Sequence, residues 1–121
     1  DATILNGDPR SDRCLLRVRN ADLQPVRGVR TMASLSVGER AFTIGNPSGL
    51  ESTLGEGLVS GLRQAMGVRM IQTTAPMSPG SSGGGLFDAW GNLIGVPTFL
   101  IRQPMDTETF RFAIAADEYW R

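Results

Sequence analysis

Histidine is absent from this 121-residue sequence, and cysteine occurs once, as Cys14. Without a second cysteine no disulfide can form within the chain, and no thiolate cluster is available to hold zinc. Without histidine the chain lacks the most common metal ligand and the most common general base of proteins. The sequence therefore predicts no metal and no cofactor, and chemistry that needs an imidazole cannot come from this chain alone.

An excess of charge of either sign is also missing, since 12 basic and 12 acidic side chains cancel. A basic face that would bind nucleic acid or an anionic membrane surface is therefore not expected. No apolar run approaches the roughly 20 residues that a membrane-spanning helix needs. We predict neither nucleic acid nor membrane as a partner, and the length is that of a single ordinary domain.

Short β-type segments recur along the chain, separated by glycine, proline and asparagine. This pattern is typical of a sandwich or barrel and not of a helical protein. Two predicted strands, 2–6 and 13–18, form a hairpin whose turn begins at Asp8-Pro9. A short C-terminal helix is predicted at 115–121. Six further strands, enough to close a small barrel, are predicted at 40–44, 55–62, 68–73, 85–87, 92–100 and 109–113.

The segment Gly80-Ser81-Ser82-Gly83-Gly84 consists only of glycine and serine. A serine hydroxyl attacks a carbonyl when a base removes its proton and nearby donors stabilise the oxyanion that forms. The main-chain NH groups of Gly80 and Ser82 could converge on one point if residue 80 adopts a conformation that is easy only for glycine. By itself the segment is equally well explained as a mobile glycine turn.

Together with its surroundings, this segment resembles the nucleophile loop of trypsin-like serine peptidases, most closely their HtrA or Do-like branch. The matching motifs occur in the family's order along the chain: 8–12 with Leu15-Leu16-Arg17-Val18, Val37-Gly38-Glu39 leading into 42–50, Gly57-Leu58-Val59-Ser60, 72–86, Asn92-Leu93-Ile94-Gly95-Val96, and Phe112-Ala113-Ile114. The resemblance implies an all-β, chymotrypsin-like fold. Residues 1–30 would be the last hairpin of the N-terminal barrel with the inter-barrel loop, and residues 31–121 the six-stranded antiparallel Greek-key barrel that follows.

The same resemblance implies roles for individual residues. Ser82 would be the nucleophile, the NH groups of Gly80 and Ser82 would form the oxyanion hole, and Asp12 would orient the catalytic histidine. Each role has a plainer alternative, because Ser82 can be an ordinary turn serine and Asp12 an ordinary hairpin-turn residue.

The family's strand that lines the pocket for the residue before the scissile bond falls on 98–100. A pocket framed by Met77 and Phe99, without a carboxylate, should prefer small or medium apolar side chains. The hydroxyl of Thr98 could donate a hydrogen bond to the carboxylate of Asp12, or Thr98 could be an ordinary β-strand threonine without a special contact. Met77 and Phe99 could equally well be core residues. Pro97 is unexpected here because it has no NH for the ladder. The predicted pocket residues are Met77, Thr98, Phe99 and Leu100.

A catalytic triad needs an imidazole between Asp12 and Ser82. In the family this histidine comes from the first barrel, which precedes the segments matched here, and the chain also begins in strand-like sequence. We therefore expect it to be part of a longer protein, with the missing N-terminal barrel as a partner. Loss of the base costs on the order of 10⁶ in turnover in a comparable triad enzyme, so these residues alone should be inactive.

Three functions are compatible with this pattern. The first is a serine endopeptidase that acts on polypeptides, with its histidine upstream. The second is an inactive pseudopeptidase that binds peptides by strand addition. The third is a structural barrel unrelated to proteolysis, which leaves the ordered motif matches to chance. The resemblance also favours a periplasmic or extracytoplasmic location and a possible homo-oligomer.

Overall fold

The computed structural model describes residues 2–9, 12–19, 22–45, 53–65, 67–77, 81–102 and 109–119, with only the main chain described at 65, 99–102 and 109. Eight strands make up the molecule, together with two three-residue 3₁₀ turns at Met32–Ser34 and Ala116–Glu118. The strands are β1 (Ala2–Asp8), β2 (Arg13–Val18), β3 (Arg40–Gly45), β4 (Thr53–Ala65), β5 (Val68–Thr73), β6 (Gly85–Phe87), β7 (Leu93–Arg102) and β8 (Thr109–Ala115).

Strands β3 to β8 close into an antiparallel barrel in the order β3-β4-β5-β8-β7-β6, while β1 and β2 form a separate two-stranded sheet. This confirms the predicted all-β fold with a six-stranded barrel and a leading hairpin. The predicted helix at 115–121 contains the single turn Ala116–Glu118, and positions 120 and 121 lie outside the described residues. In the described part of the chain, neither helical turn is long and apolar enough to cross a membrane.

The barrel interior is filled by side chains that alternate inward along the strands. Burying an aliphatic side chain of this size stabilises a fold by roughly 1.5–3 kcal/mol, so this cluster is the main source of the barrel's stability. It is made of Leu35, Ala41, Val59, Ile71, Ala75, Leu86, Ile94, Ala113 and Ala115.

Strand β7 contains a β-bulge at Thr98. Pro97 pairs with Ala113 and Phe99 with Phe112, so Thr98 is an extra residue with no partner of its own on β8. Proline donates no hydrogen bond, and within sheets it is tolerated at such irregular positions. The bulge accommodates Pro97 and changes the direction in which Thr98 presents its groups.

The linker between the hairpin and the barrel is bound to the start of β7. The NH of Arg30 donates to the carbonyl of Leu93 at 3.0 Å, and the NH of Leu93 donates to the carbonyl of Gly28 at 2.9 Å. The guanidinium of Arg30 also bridges Glu39 at 2.7 Å and Asp88 at 3.2 Å. These contacts hold the linker against the barrel wall.

The hairpin docks through its turn end onto the C-terminal 3₁₀ turn. Arg13 donates from Nη1 to the main-chain carbonyl of Glu118 and lies over the ring of Tyr119, 5.9 Å from its centroid. Arg69 holds the other side of this turn, through Asp117 at 2.8 Å and Glu118 at 3.1 Å. The hairpin nevertheless exposes several large apolar side chains, namely Ile4, Leu5, Leu15, Leu16 and Val18.

Candidate active site

Ser82 lies in a tight turn between β5 and β6. The NH of Gly84 donates to the carbonyl of Ser81 at 3.1 Å and closes the turn. Gly83 has a φ of 86°, in the left-handed region that glycine adopts without steric cost. The NH of Gly83 donates to the carbonyl of Pro97 at 3.0 Å, so the turn is held on β7 directly beside the bulge.

The hydroxyl of Ser82 is exposed and points at the bulge residue. Its Oγ donates to the main-chain carbonyl of Thr98 at 3.0 Å. A carbonyl accepts a hydrogen bond but cannot remove the proton, so this contact orients the hydroxyl without activating it. The geometry therefore provides a positioned serine that still needs a base.

Asp12 reaches the same bulge from the hairpin. It precedes β2 with a φ of 51°, and no other non-glycine residue in the described ranges has a positive φ. Aspartate tolerates this region better than most side chains. The hydroxyl of Thr98 donates to Oδ2 of Asp12. Thr98 thus contacts Ser82 through its carbonyl and Asp12 through its side chain, and it brings the two together.

Tyr119 is a titratable side chain beside Asp12 and Arg13. Burial raises the pKa of Tyr119, and the negative charge of Asp12 raises it further, while Arg13 lowers it by a smaller amount. The phenol therefore stays protonated at neutral pH. It does not replace an imidazole as a proton acceptor for Ser82.

A cavity of about 150 Å³ lies beside the turn that carries Ser82. Met77, Ser81 and Pro97 line it, together with residues of β3 and β4 and with Arg111 of β8. Thr98 and Ser82 are not among its described lining residues. The structure therefore does not place Met77 and Thr98 in one pocket.

Metal-binding residues do not cluster in the described part of the chain. Across those ranges, no group of three or more cysteine, aspartate or glutamate side chains is close enough to hold an ion. Cys14 is an exposed free thiol.

The order of these elements, with a serine turn before the last barrel strands and an aspartate on a preceding hairpin, matches one known family. The trypsin-like peptidase domain matches residues 1–96 of the chain. The chain belongs to the trypsin-like peptidase family. Its HtrA or Do-like character, which the motifs predicted, is confirmed by Do-like and DegP relatives that match 97% of the chain.

Three relatives illustrate how similar this trypsin-like peptidase chain is to curated proteins. Protease Do-like 1, chloroplastic, of Arabidopsis thaliana is 36% identical over 97% of this chain and 29% of its own length. The periplasmic serine endoprotease DegP of Salmonella typhimurium is 34% identical over 97% of this chain and 26% of its own. That of Escherichia coli is 34% identical over the same shares. The chain thus spans between about a quarter and a third of these relatives.

Solved structures of the same family share the fold. The HtrA-type protease AlgW with decapeptide superposes with a TM-score of 0.83 at 32% identity, over 98% of this chain and 38% of that chain. The Deg5 crystal structure gives a TM-score of 0.79 at 36% identity, over 99% of this chain and 57% of that chain. Both relatives are larger than the part that this trypsin-like peptidase chain matches.

Some predicted site residues of this trypsin-like peptidase fall outside what the structure describes. Gly80 belongs to the segment 78–80, and the side chains of Phe99 and Leu100 are likewise outside, so the oxyanion hole and the pocket stay predictions. Arg111 was missed by the sequence reasoning. The alternation in β8 offered a signal, because Arg111 shares a strand face with the core residue Ala113.

Proposed function

We propose that Ser82 is the nucleophile of a serine endopeptidase and that Asp12 orients a histidine supplied by polypeptide outside these 121 residues. One observation carries this proposal, namely that Thr98 binds the Ser82 hydroxyl and the Asp12 carboxylate at once. A serine and a carboxylate on separate sheets have no structural need to share a neighbour. A triad needs both of them on either side of one imidazole.

The reaction follows from these positions. The imidazole takes the proton of Ser82 as Oγ attacks the carbonyl carbon of the scissile peptide bond, and an oxyanion forms. The NH groups of Gly80 and Ser82 stabilise that charge. The same imidazole then donates its proton to the leaving amine, which departs and leaves an acyl-enzyme. Water then attacks the ester carbonyl while the imidazole takes its proton, and the imidazole returns a proton to Oγ as the ester bond breaks and Ser82 is freed. Asp12 stabilises the imidazolium throughout.

The hairpin indicates where the histidine would come from. Its two strands leave large apolar side chains exposed, which two strands alone cannot bury. Further β-structure packed on them would cover this surface and bring its own residues close to Asp12. We infer that the N-terminal barrel of the family is this partner. In that arrangement residues 1–30 belong with the first barrel and residues 31–121 form the second.

The substrate that this site would take is a polypeptide. AlgW, an HtrA-type relative, has been solved with a decapeptide, which supports a peptide-binding groove in this fold. The DegP relatives are named as periplasmic, which supports an extracytoplasmic location. Self-association is a further expectation from the family resemblance, and light scattering on the full-length protein tests it.

A second candidate is a pseudopeptidase that binds peptides without cleaving them. Two observations favour it: the 121 residues contain no histidine, and the Ser82 hydroxyl is bound to a main-chain carbonyl. This candidate keeps the barrel and the peptide groove but predicts a serine that never becomes reactive.

Active-site labelling separates the two candidates. The full-length protein is treated with a fluorophosphonate probe, and intact mass is measured for the parent and for Ser82→Ala. Ser36→Ala, at an exposed serine remote in sequence, is the matched control. The peptidase proposal expects one probe per chain in the parent and in Ser36→Ala, and none in Ser82→Ala. A folded parent that stays unlabelled refutes it and favours the pseudopeptidase.

A further inference from the structure

The cavity beside the Ser82 turn lies where a substrate side chain would be held. Ser81, which precedes the proposed nucleophile, lines the cavity, and so does Pro97, which precedes the bulge residue Thr98. Met77, which the sequence predicted for the pocket of the residue before the scissile bond, lines it too. The carbonyl that Ser82 attacks must lie against its Oγ, so the side chain of the same residue lies close to this cavity.

Arg111 is the only charged residue among the described residues that line the cavity. It reaches the cavity from the interior face of β8, which it shares with the core residues Ala113 and Ala115. Its Nε is buried and has no hydrogen-bond partner in the part of the chain that the structure describes. A guanidinium keeps its charge at physiological pH, so the cost of this burial is not relieved by loss of a proton. Arg111 therefore lacks an acceptor that a bound ligand can supply.

An acidic side chain of the substrate provides the acceptor that Arg111 lacks. Its carboxylate oxygens accept charge-assisted hydrogen bonds from a guanidinium. The size agrees, because 150 Å³ holds roughly five groups the size of a water molecule, and the side chains of aspartate and glutamate have about that many non-hydrogen atoms. An apolar side chain of the same size would fill the cavity but would leave the Nε donor buried without an acceptor.

We propose that Arg111 makes the peptidase selective for an acidic residue, aspartate or glutamate, immediately before the scissile bond. This selectivity rests on the proposed function and adds the substrate class to it. The sequence predicted small or medium apolar side chains at this place, because Met77 and Phe99 were considered and Arg111 was not. Arg111 binds the substrate side chain and takes no part in the reaction itself, so its effect depends on which residue the substrate offers.

Cleavage of matched peptides by the full-length protein tests this selectivity. Internally quenched peptides differ only in the residue before the scissile bond, which is glutamate, glutamine or valine, and mass spectrometry of the products identifies the bond that is cut. The kcat/KM of the glutamate peptide should exceed that of the other two at least about tenfold, because only glutamate offers Arg111 a charged acceptor. Arg111→Gln should abolish this preference, whereas Arg63→Gln, at an exposed arginine of β4, should keep it.

Binding to an unreactive variant separates this proposal from the proposed function. Calorimetry measures the Kd of acetylated peptides that end in glutamate, glutamine or valine for full-length Ser82→Ala. The glutamate peptide should bind at least about tenfold more tightly, and adding Arg111→Gln should remove the difference. A parent that shows this difference but resists the fluorophosphonate refutes the peptidase and keeps Arg111 as the recognising residue.

Two results overturn the proposal. One is equal binding of the glutamate and glutamine peptides, and the other is a preference for glutamate that survives Arg111→Gln. Should the variant with both substitutions fail to fold, the comparison of the two peptides with Ser82→Ala decides alone.

Discussion

Asp88 offers a sharp test of how the barrel holds its linker and the turn before β7. Its side chain is almost fully buried and accepts four hydrogen bonds. Oδ1 accepts from the NH groups of Trp90 at 2.9 Å and Asn92 at 2.8 Å. Oδ2 accepts from Nδ2 of Asn92 at 2.9 Å and from Nη1 of Arg30 at 3.2 Å. Asp88→Asn removes the charge and leaves one acceptor oxygen in place of two.

The cost of this substitution follows from the bonds that it breaks. The remaining oxygen can keep both main-chain NH groups, but the new NH₂ group then faces two donors. One neutral bond and one bond to a charged donor are lost, worth about 1 and about 2 kcal/mol. Arg30 keeps its ion pair with Glu39, so no charge is left alone. The expected loss of about 3 kcal/mol corresponds to a fall in Tm of about 12 °C for a chain of this length.

The pH dependence supplies a second check. Burial raises the pKa of Asp88, but hydrogen bonds from Asn92, Trp90 and Arg30 outweigh it and hold the pKa below the ordinary aspartate value. A lowered folded pKa means that the stabilisation is complete above the unfolded pKa, near 4, and is lost as the pH falls through the folded value. The difference in Tm between the parent and Asp88→Asn should therefore shrink between pH 6 and pH 3.

Thermal denaturation followed by circular dichroism measures both effects. Asp22→Asn, at an exposed aspartate of the linker, is the control and should leave Tm within about 2 °C of the parent. A fall of less than about 4 °C in Asp88→Asn, or a difference that does not shrink in acid, would show that the four hydrogen bonds contribute less to the stability of the fold than this.

Two further predictions concern the bulge and the barrel wall. Thr98→Val removes the hydroxyl that binds Asp12 and should slow fluorophosphonate labelling about tenfold, since the partly exposed bond is worth about 1.5 kcal/mol. Thr98→Ser should recover most of the rate, and equal rates in the two variants would contradict the role of the hydroxyl. Gly57→Ala places a Cβ well inside van der Waals contact with the main-chain nitrogen of Ala75 and should cost about 2 kcal/mol or more. Gly7→Ala, whose Cβ would lie 3.9 Å from the main-chain oxygen of Arg13, is its control in a chemical denaturation series, and equal midpoints would contradict the clash.

The strand pattern was predictable for several short strands, because runs of β-type residues are separated by residues that favour turns. The predicted bounds agree with β2, β5 and β6 to the residue. Strand β4 was predicted as 55–62, but it extends over Thr53–Ala65 with a register shift between Val59 and Gly61. A bulge interrupts the alternation of inward and outward residues, so a period-two pattern underestimates the length of such a strand.

The site was only partly predictable for a different reason. The family motifs identified Ser82 and Asp12 as site residues. Their contact through Thr98 depends on the β-bulge at that residue, and a bulge is set by strand pairing, which the motifs do not predict. Pro97 indicated an irregularity in the strand, but it did not indicate that Thr98 would contact both Ser82 and Asp12. Arg111 escaped notice because it stands between Phe110 and Phe112, where a single charge is more commonly taken for an exposed position.

The two halves of the proposed site belong to different sheets, and this has a practical consequence. Asp12 moves with the hairpin and Ser82 with the barrel, so their alignment depends on the hydrogen bond from Thr98 to Asp12 and on the contacts of Arg13 with Glu118 and Tyr119. A substitution that weakens only these contacts between the hairpin and the barrel would leave both sheets folded but would disturb the alignment of Asp12 with Ser82. An intact fold therefore does not by itself guarantee that the groups of the proposed site are aligned, and an assay of folding does not report on that alignment.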